Sequence, residues 1–377
     1  LPLSLASCSI GLPRHTLHQK LEAISRAGFQ GIELSFPDIL AHAKELRALG
    51  QLPADLVPSS SSSSSSSPGK HNNDHDHGHD DDDDDEISDS DWPVLVHTAA
   101  DIRRLCTAHN LTVLVLQPFA NYEGWTDPAA RAAVRDRAKG WARIMTAAGT
   151  TMLQVGATDT PAHKITASRA QLAADLAELA DLLQAENPAF CLAYENWCWA
   201  THAPGWKDVW DIVQLADRAN IGLCLDTFQS AGGQWGDPTT ASGMLEARHL
   251  PSPDQVAAAW LASLRDLVQT VPADKIFFLQ ISDAYHVTPP LAPHPAPDSP
   301  DEGLRPRGRW SHDHRPLPYD GGYLPIADFT RAVLETGFRG WLSVEVFDGR
   351  WEDKYGDDLA GFAHKAREST RKLVQDA

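Results

Sequence analysis

The chain has 377 residues, 42 % of them hydrophobic, enough for one large α/β domain or two smaller ones. Its net charge is −19, but eleven acidic residues against one lysine between Lys70 and Asp91 carry −10 of that, leaving a mildly acidic −9 elsewhere. No basic stripe is left for a phosphate backbone, which argues against a nucleic-acid partner, and the longest apolar runs are too short to span a membrane. The first residues lack the basic start and apolar h-region of a signal peptide. Five scattered cysteines, an odd number without a CxxC pair, include Cys191 and Cys224 inside apolar runs. They read as buried free thiols and point to a reducing, cytoplasmic setting.

In chain order, the first strand-like run is "LSLAS" (3–7), followed by a helical pattern that Thr16 can cap and Gly28 can end. "GIELSF" (31–36) is the second strand. Residues 58–92 then break the rhythm with a serine run, Ser59–Ser67, and a His/Asp tract to Glu86. Neither can build a packed core, so this segment is expected to be a disordered insert in one domain spanning 1–377. Its histidines and aspartates are read as a solvated tether, because an unstructured tract cannot fix coordination geometry. Further strands are expected at 112–119, 151–156, 190–195, 221–226, 276–282 and 341–347, with helices between them. Two long stretches, about 229–251 and 283–322, are rich in Gly, Pro, His and Trp and read as loops. Eight strands, each paired with a helix, predict a (β/α)8 barrel. A doubly wound open sheet is the alternative, but "ASCSIGLPR" is not the Gly-rich first turn it needs.

Four oxygen-bearing side chains sit at or near the C-terminal ends of late strands: Glu195, Asp226, Gln280 and Glu345. In a barrel these ends meet at one mouth. Three carboxylates there repel one another unless a cation offsets them. An all-oxygen set favours a hard or borderline divalent ion, Mg²⁺ or Mn²⁺, over a thiolate-seeking one. The competing reading is that each carboxylate caps a helix or pairs with an arginine. Trp197 and Trp199 are expected to wall a pocket, whereas Trp206 and Trp210, at helical spacing, read as core. Tyr122 and Glu123 are expected to face the mouth after the third strand, and Glu33 to lie in the barrel interior or touch substrate.

The stretches "GFQGIEL", "LQPFANYEGW", "AYENWCWATH", "GLCLDTF", "FFLQISDA", "RWSHDHRPLP" and "GWLSVEVF" cover nearly every strand end outside the insert. Taken in order, they resemble the xylose isomerase-like barrel superfamily of sugar-phosphate isomerases and epimerases, and within it most closely the fungal 3-dehydroshikimate dehydratases. The resemblance implies a single divalent metal (Mg²⁺ or Mn²⁺, with Co²⁺ also admissible) held by Glu195, Asp226, Gln280 and Glu345, and a small-molecule substrate reached by Ser311 and Arg315. A carboxylate-bearing substrate suits Arg315, whose planar fork is always charged. The implied chemistry is proton abstraction beside a metal-polarised carbonyl, then loss of a hydroxyl, turning 3-dehydroshikimate into protocatechuate. The same site serves an isomerase or epimerase of a sugar or cyclitol, which is the runner-up, and a barrel that binds without turnover is the non-catalytic rival. Endonuclease-like members need several metals and more histidines than these strand ends supply. An oligomer is left open.

At Gln229 the chain departs from the dehydratase pattern, which has a histidine three residues after the aspartate ligand. Gln229 can position a substrate oxygen but cannot take a proton. The arginine expected soon afterwards is replaced by Ala231-Gly232-Gly233. His202, seven residues beyond Glu195, is the first choice for the base; His286, His312 and His314 are the other candidates.

Overall fold

The computed structural model describes residues 1–56, 87–246, 252–295 and 303–377. The strands are β1 (Leu3–Ala6), β2 (Gly31–Ser35), β3 (Thr112–Ala120), β4 (Met152–Gly156), β5 (Cys191–Glu195), β6 (Ile221–Asp226), β7 (Ile276–Ile281), β8 (His314–Arg315), β9 (Trp341–Val344) and β10 (Phe347–Asp348). All but β8 and β10 run parallel in the order β1-β2-β3-β4-β5-β6-β7-β9, and β1 pairs with β9 to close a barrel. The predicted (β/α)8 architecture is the one found.

The helices that alternate with them are α1 (Leu17–Ala27), α2 (Phe36–Ala48), α3 (Trp92–Ala108), α4 (Pro128–Ala148), α5 (Arg169–Glu186), α6 (Trp206–Ala216), α7 (Thr227–Gln234), α8 (Pro253–Thr270), α9 (Pro306–Asp313), α10 (Ile326–Glu335), α11 (Trp351–Tyr355) and α12 (Leu359–Asp376). Local chemistry sets their ends. Thr16 and Gln19 form a reciprocal capping box on α1, and Gly28 ends it in the left-handed region at φ 86°. Ser168 and Ser252 cap α5 and α8. Among the described residues no helix is long and apolar enough to cross a membrane.

Period-two alternation divides the strands between two cores. Outward residues such as Leu5, Ile32, Leu153, Leu192, Leu223 and Leu342 are fully buried against the helices. Inside the barrel, Val115, Ala193, Cys224 and Phe278 form a separate apolar plug. Two positions further along the same strands, on the same face, stand Gln117, Glu195, Asp226 and Gln280. A dry plug thus carries a polar ring at the C-terminal end of the barrel, the face where loops can gather over it.

Three segments differ from the sequence expectation. Of the predicted insert, residues 58–86 lie outside the described residues, but Ile87 is buried in the main core and α3 begins at Trp92, so the stretch 87–92 belongs to the barrel. The stretch read as a loop from 229 starts within α7, which follows β6 with no connection at all. The stretch 283–322 contains α9 and β8. The last predicted strand also divides: β9 stops at Val344, and Phe347–Asp348 leaves the barrel to pair antiparallel with His314–Arg315.

Candidate metal centre and active-site cavity

Each carboxylate of the ring is fixed by a different device. Glu195 Oε2 accepts from Trp197 Nε1 at 3.0 Å and from Gln154 Nε2, while its Oε1 is buried without a hydrogen-bond partner. Trp197 can lie there because residue 156 is glycine; a Cβ on Gly156 would sit 2.2 Å from the indole. Asp226 ends β6 and caps α7: its Oδ1 accepts from Phe228 N at 2.6 Å and Gln229 N at 3.2 Å, and its Oδ2 from Arg315 Nη2 at 2.6 Å. Glu345 Oε1 accepts from Gln117 Nε2 at 3.3 Å, and its Oε2 lies 3.1 Å from Arg315 Nη2. One ligand atom from each of Glu195, Asp226 and Glu345 falls within 4.8 Å of the other two.

The electrostatics follow from that crowding. Burial, then the charges of Glu345 and Asp226, push the Glu195 carboxyl well above the usual range. Burial raises Glu345 to about 7, with Arg315 pulling the other way. Burial also raises Asp226, against Arg315 and the α7 amides. Glu33, beneath the ring, is raised well above the ordinary value by burial and by Glu345. One guanidinium against four buried carboxylates leaves excess negative charge, which a bound cation relieves. The unpartnered Glu195 Oε1, on a carboxylate clustered with two others, fits a hard divalent ion.

Arg315 is buried between Phe228 and Phe347, 4.6 and 5.3 Å from the ring centroids. Its Nε and Nη2 donate to Ser282 Oγ, and its Nη1 reaches Ser311 Oγ at 3.3 Å. The three carboxylates cluster, and Asp226 in addition caps a helix and pairs with an arginine. Gln280 stands beside them, donating to Glu33 Oε2 at 2.8 Å, with its Oε1 accepting the Cys224 thiol at 3.2 Å.

A cavity of about 380 Å³ opens over Glu195 and Glu345. Ser311, Arg315 and Gln229 line it. Trp197 and Trp199 stack along one wall, centroids 5.1 Å apart and 19° from parallel. Trp206, whose Nε1 donates to Ser263 Oγ at 2.9 Å, and Trp210 are core. Gln229 is anchored by accepting from Cys198 N at 2.9 Å.

Other expected residues are placed elsewhere. Tyr122 is buried against Phe119 and faces Arg135, its phenol pushed up to about 12 by burial. Glu123 is buried, accepting from Thr158 N and the Tyr194 hydroxyl, both at 2.8 Å. Glu33 takes the interior place of its two options. His202, the first choice for the base, does not line the cavity, and its Nε2 is buried without a partner. His286 lies 3.2 Å from Ala241 O, and His314 sits on β8 beside Asp313. His312 does line the cavity, edge-on to Trp199 with centroids 6.0 Å apart. Gln117, Gln154 and Cys8 line it as well. The two glutamines carry the same signal as Gln280, an amide inside an apolar strand, but in the first half of the chain.

Comparison with known proteins agrees with this architecture. Residues 74–365 match the family model described as xylose isomerase-like TIM barrel. A 3-dehydroshikimate dehydratase from Neurospora crassa is 30 % identical over 385 residues, covering 100 % of this chain and 95 % of that protein. A 3-dehydroshikimate dehydratase from Pseudomonas aeruginosa is 28 % identical over 88 % of this chain, which spans only 36 % of that longer protein. Among solved structures, the IolI protein with a bound zinc atom is 15 % identical, with a TM-score of 0.63 over 100 % of this chain and 98 % of its own, a likeness of fold. With eight parallel strands closed around a polar ring, and the family's model matched from residue 74 to 365, the chain belongs to the xylose isomerase-like TIM-barrel family.

Proposed function

We propose that this protein is a divalent-metal-dependent dehydratase that converts 3-dehydroshikimate to protocatechuate and water. The observation that carries the reading is the end-to-end likeness to the Neurospora crassa 3-dehydroshikimate dehydratase. The cavity supports it: Trp197, Trp199 and Phe347 offer flat apolar walls to a six-membered ring, while Ser311 and Arg315 offer donors to its oxygens. Glu195, Asp226 and Glu345, with Gln280 from the neighbouring strand, would hold Mg²⁺ or Mn²⁺. When bound, that ion supplies a Lewis acid for the ketone oxygen of the substrate.

In 3-dehydroshikimate the C3 ketone is conjugated with the C1–C2 double bond, so a C6 hydrogen is acidic across the ring. Removing it sends the electron pair towards the ketone oxygen. Expulsion of the C5 hydroxyl, taking up one proton, then releases water. Transfer of the C4 hydrogen to the ketone oxygen completes the aromatic ring. The protein's part is to orient the ring between the aromatic wall and the carboxylate floor and to keep bulk water off it. The five cysteines, all free, support action in a reducing cytoplasm.

The test is an assay of the full chain with 3-dehydroshikimate and Mg²⁺ or Mn²⁺, following protocatechuate by chromatography. Product is expected with metal and not with excess chelator. Glu345→Ala is expected to lower kcat/KM by about 10³-fold or more. An unchanged substrate, together with conversion of a keto sugar or cyclitol, would transfer the reading to an isomerase or epimerase.

A further inference from the structure

We propose that His312 is the general base of this active site, resting on the dehydratase reading above. Gln229 lines the cavity three residues after Asp226, yet its amide cannot accept a proton and its oxygen is already engaged by Cys198 N. The other candidate histidines do not line the cavity; His312 does. It stands on α9 directly after Ser311, three residues before Arg315, and its ring edge meets Trp199.

The position fits the demands of the reaction. Glu195 and Glu345 lie at the carboxylate floor, whereas His312 is exposed at the rim. A ring whose C3 oxygen faces the floor presents its C6, on the opposite side, to the rim. The C6–H bond breaks, its proton passes to the imidazole, and its electron pair moves into the conjugated enolate. As the C5–O bond breaks, the imidazolium returns that proton to the departing hydroxyl, so water leaves and the neutral ring is regenerated. No oxidant or further reactant is needed.

The helix that carries His312 is held on several sides. Arg305 donates to Trp199 O and to Thr201 Oγ1, and Arg307 to Gly232 O at 3.0 Å, Gly236 O at 3.2 Å and Asp237 Oδ2 at 3.1 Å. Glu195, Arg315 and Glu345 line the same cavity as His312, and Trp199, whose ring it meets, donates through Nε1 to Asp159 Oδ2 at 3.1 Å.

The experiment uses the Mn²⁺-loaded full chain, with His312→Ala and His312→Gln. Both variants should lose about 10²- to 10⁴-fold in kcat, as removal of a general base does. Calorimetric binding of protocatechuate should stay within about threefold of the wild type. Imidazole added to His312→Ala should restore part of the rate, and His312→Gln should show no such rescue. If the wild type is active and His312→Ala stays within about threefold of it, His312 is not the base. A loss of rate matched by an equal loss of protocatechuate affinity, without imidazole rescue, would make it a binding residue and overturn the assignment. A wild type inert on 3-dehydroshikimate with every divalent ion would instead sink the dehydratase reading, and this inference with it.

Discussion

Glu345 shows how much one buried carboxyl can report. Its proton is held up to about 7, chiefly by burial, against an ordinary value of 4.5. A carboxyl raised in the folded state keeps a proton that the unfolded chain has already lost. The chelator-treated protein is therefore expected to lose stability as pH rises from about 4.5 through about 7. Loading the site displaces that proton, so Mn²⁺ should bind several-fold more tightly at about pH 7 than at about pH 6. Melting curves in chelator and in Mn²⁺ across this range check both statements: Tm should fall with pH in the first and hold or rise in the second. Glu195, Asp226 and Glu345 were legible because a carboxylate is out of place at the end of an apolar strand. Tyr122 and His202 were not, since the side to which a loop residue turns is set by packing that no spacing encodes.

The elements hardest to read were the ones that roof the cavity. The Thr227–Gln234 stretch carries Gly232-Gly233, a composition that lowers helix propensity. Yet α7 forms because Asp226 caps it and because small residues are needed there. A Cβ on Gly232 would lie 3.1 Å from the Trp310 ring, and one on Gly233 would lie 3.2 Å from Cys198 Cβ. Tertiary contact overrides local preference. Arg307 ties this helix to α9 through two carbonyls and Asp237. Arg307→Ala is expected to cost about 1–3 kcal/mol of stability. By loosening Ser311 and Arg315 it should also raise KM more than it lowers kcat, as steady-state kinetics with a parallel melting curve would show.

At the scale of the molecule, the eight strands and their order were legible because period-two burial and βα alternation run the length of the chain. Gln117 and Gln154 were less legible because an amide inside an apolar strand gains meaning only once the register sets it against Glu345 and Glu195. The barrel gathers one cluster of three carboxylates among the described residues, so one high-affinity divalent ion per chain is expected. Replacing the histidines and acidic residues of 71–86 with serine should leave that tight class intact while reducing weaker binding. Calorimetry or metal analysis after gel filtration would show a stoichiometry near one; loss of the tight class would locate it in the tract instead.

The union of strand end, helix cap and cluster member in Asp226 has a bearing on redesign. The floor of the pocket is tied to main-chain amides and cannot be altered piecemeal without unsettling β6, α7 and Arg315 together. Trp199 and His312 meet ring to ring. Efforts to make the pocket accept a different ring have their freedom at Trp199, while His312 and the carboxylate floor are best left as found.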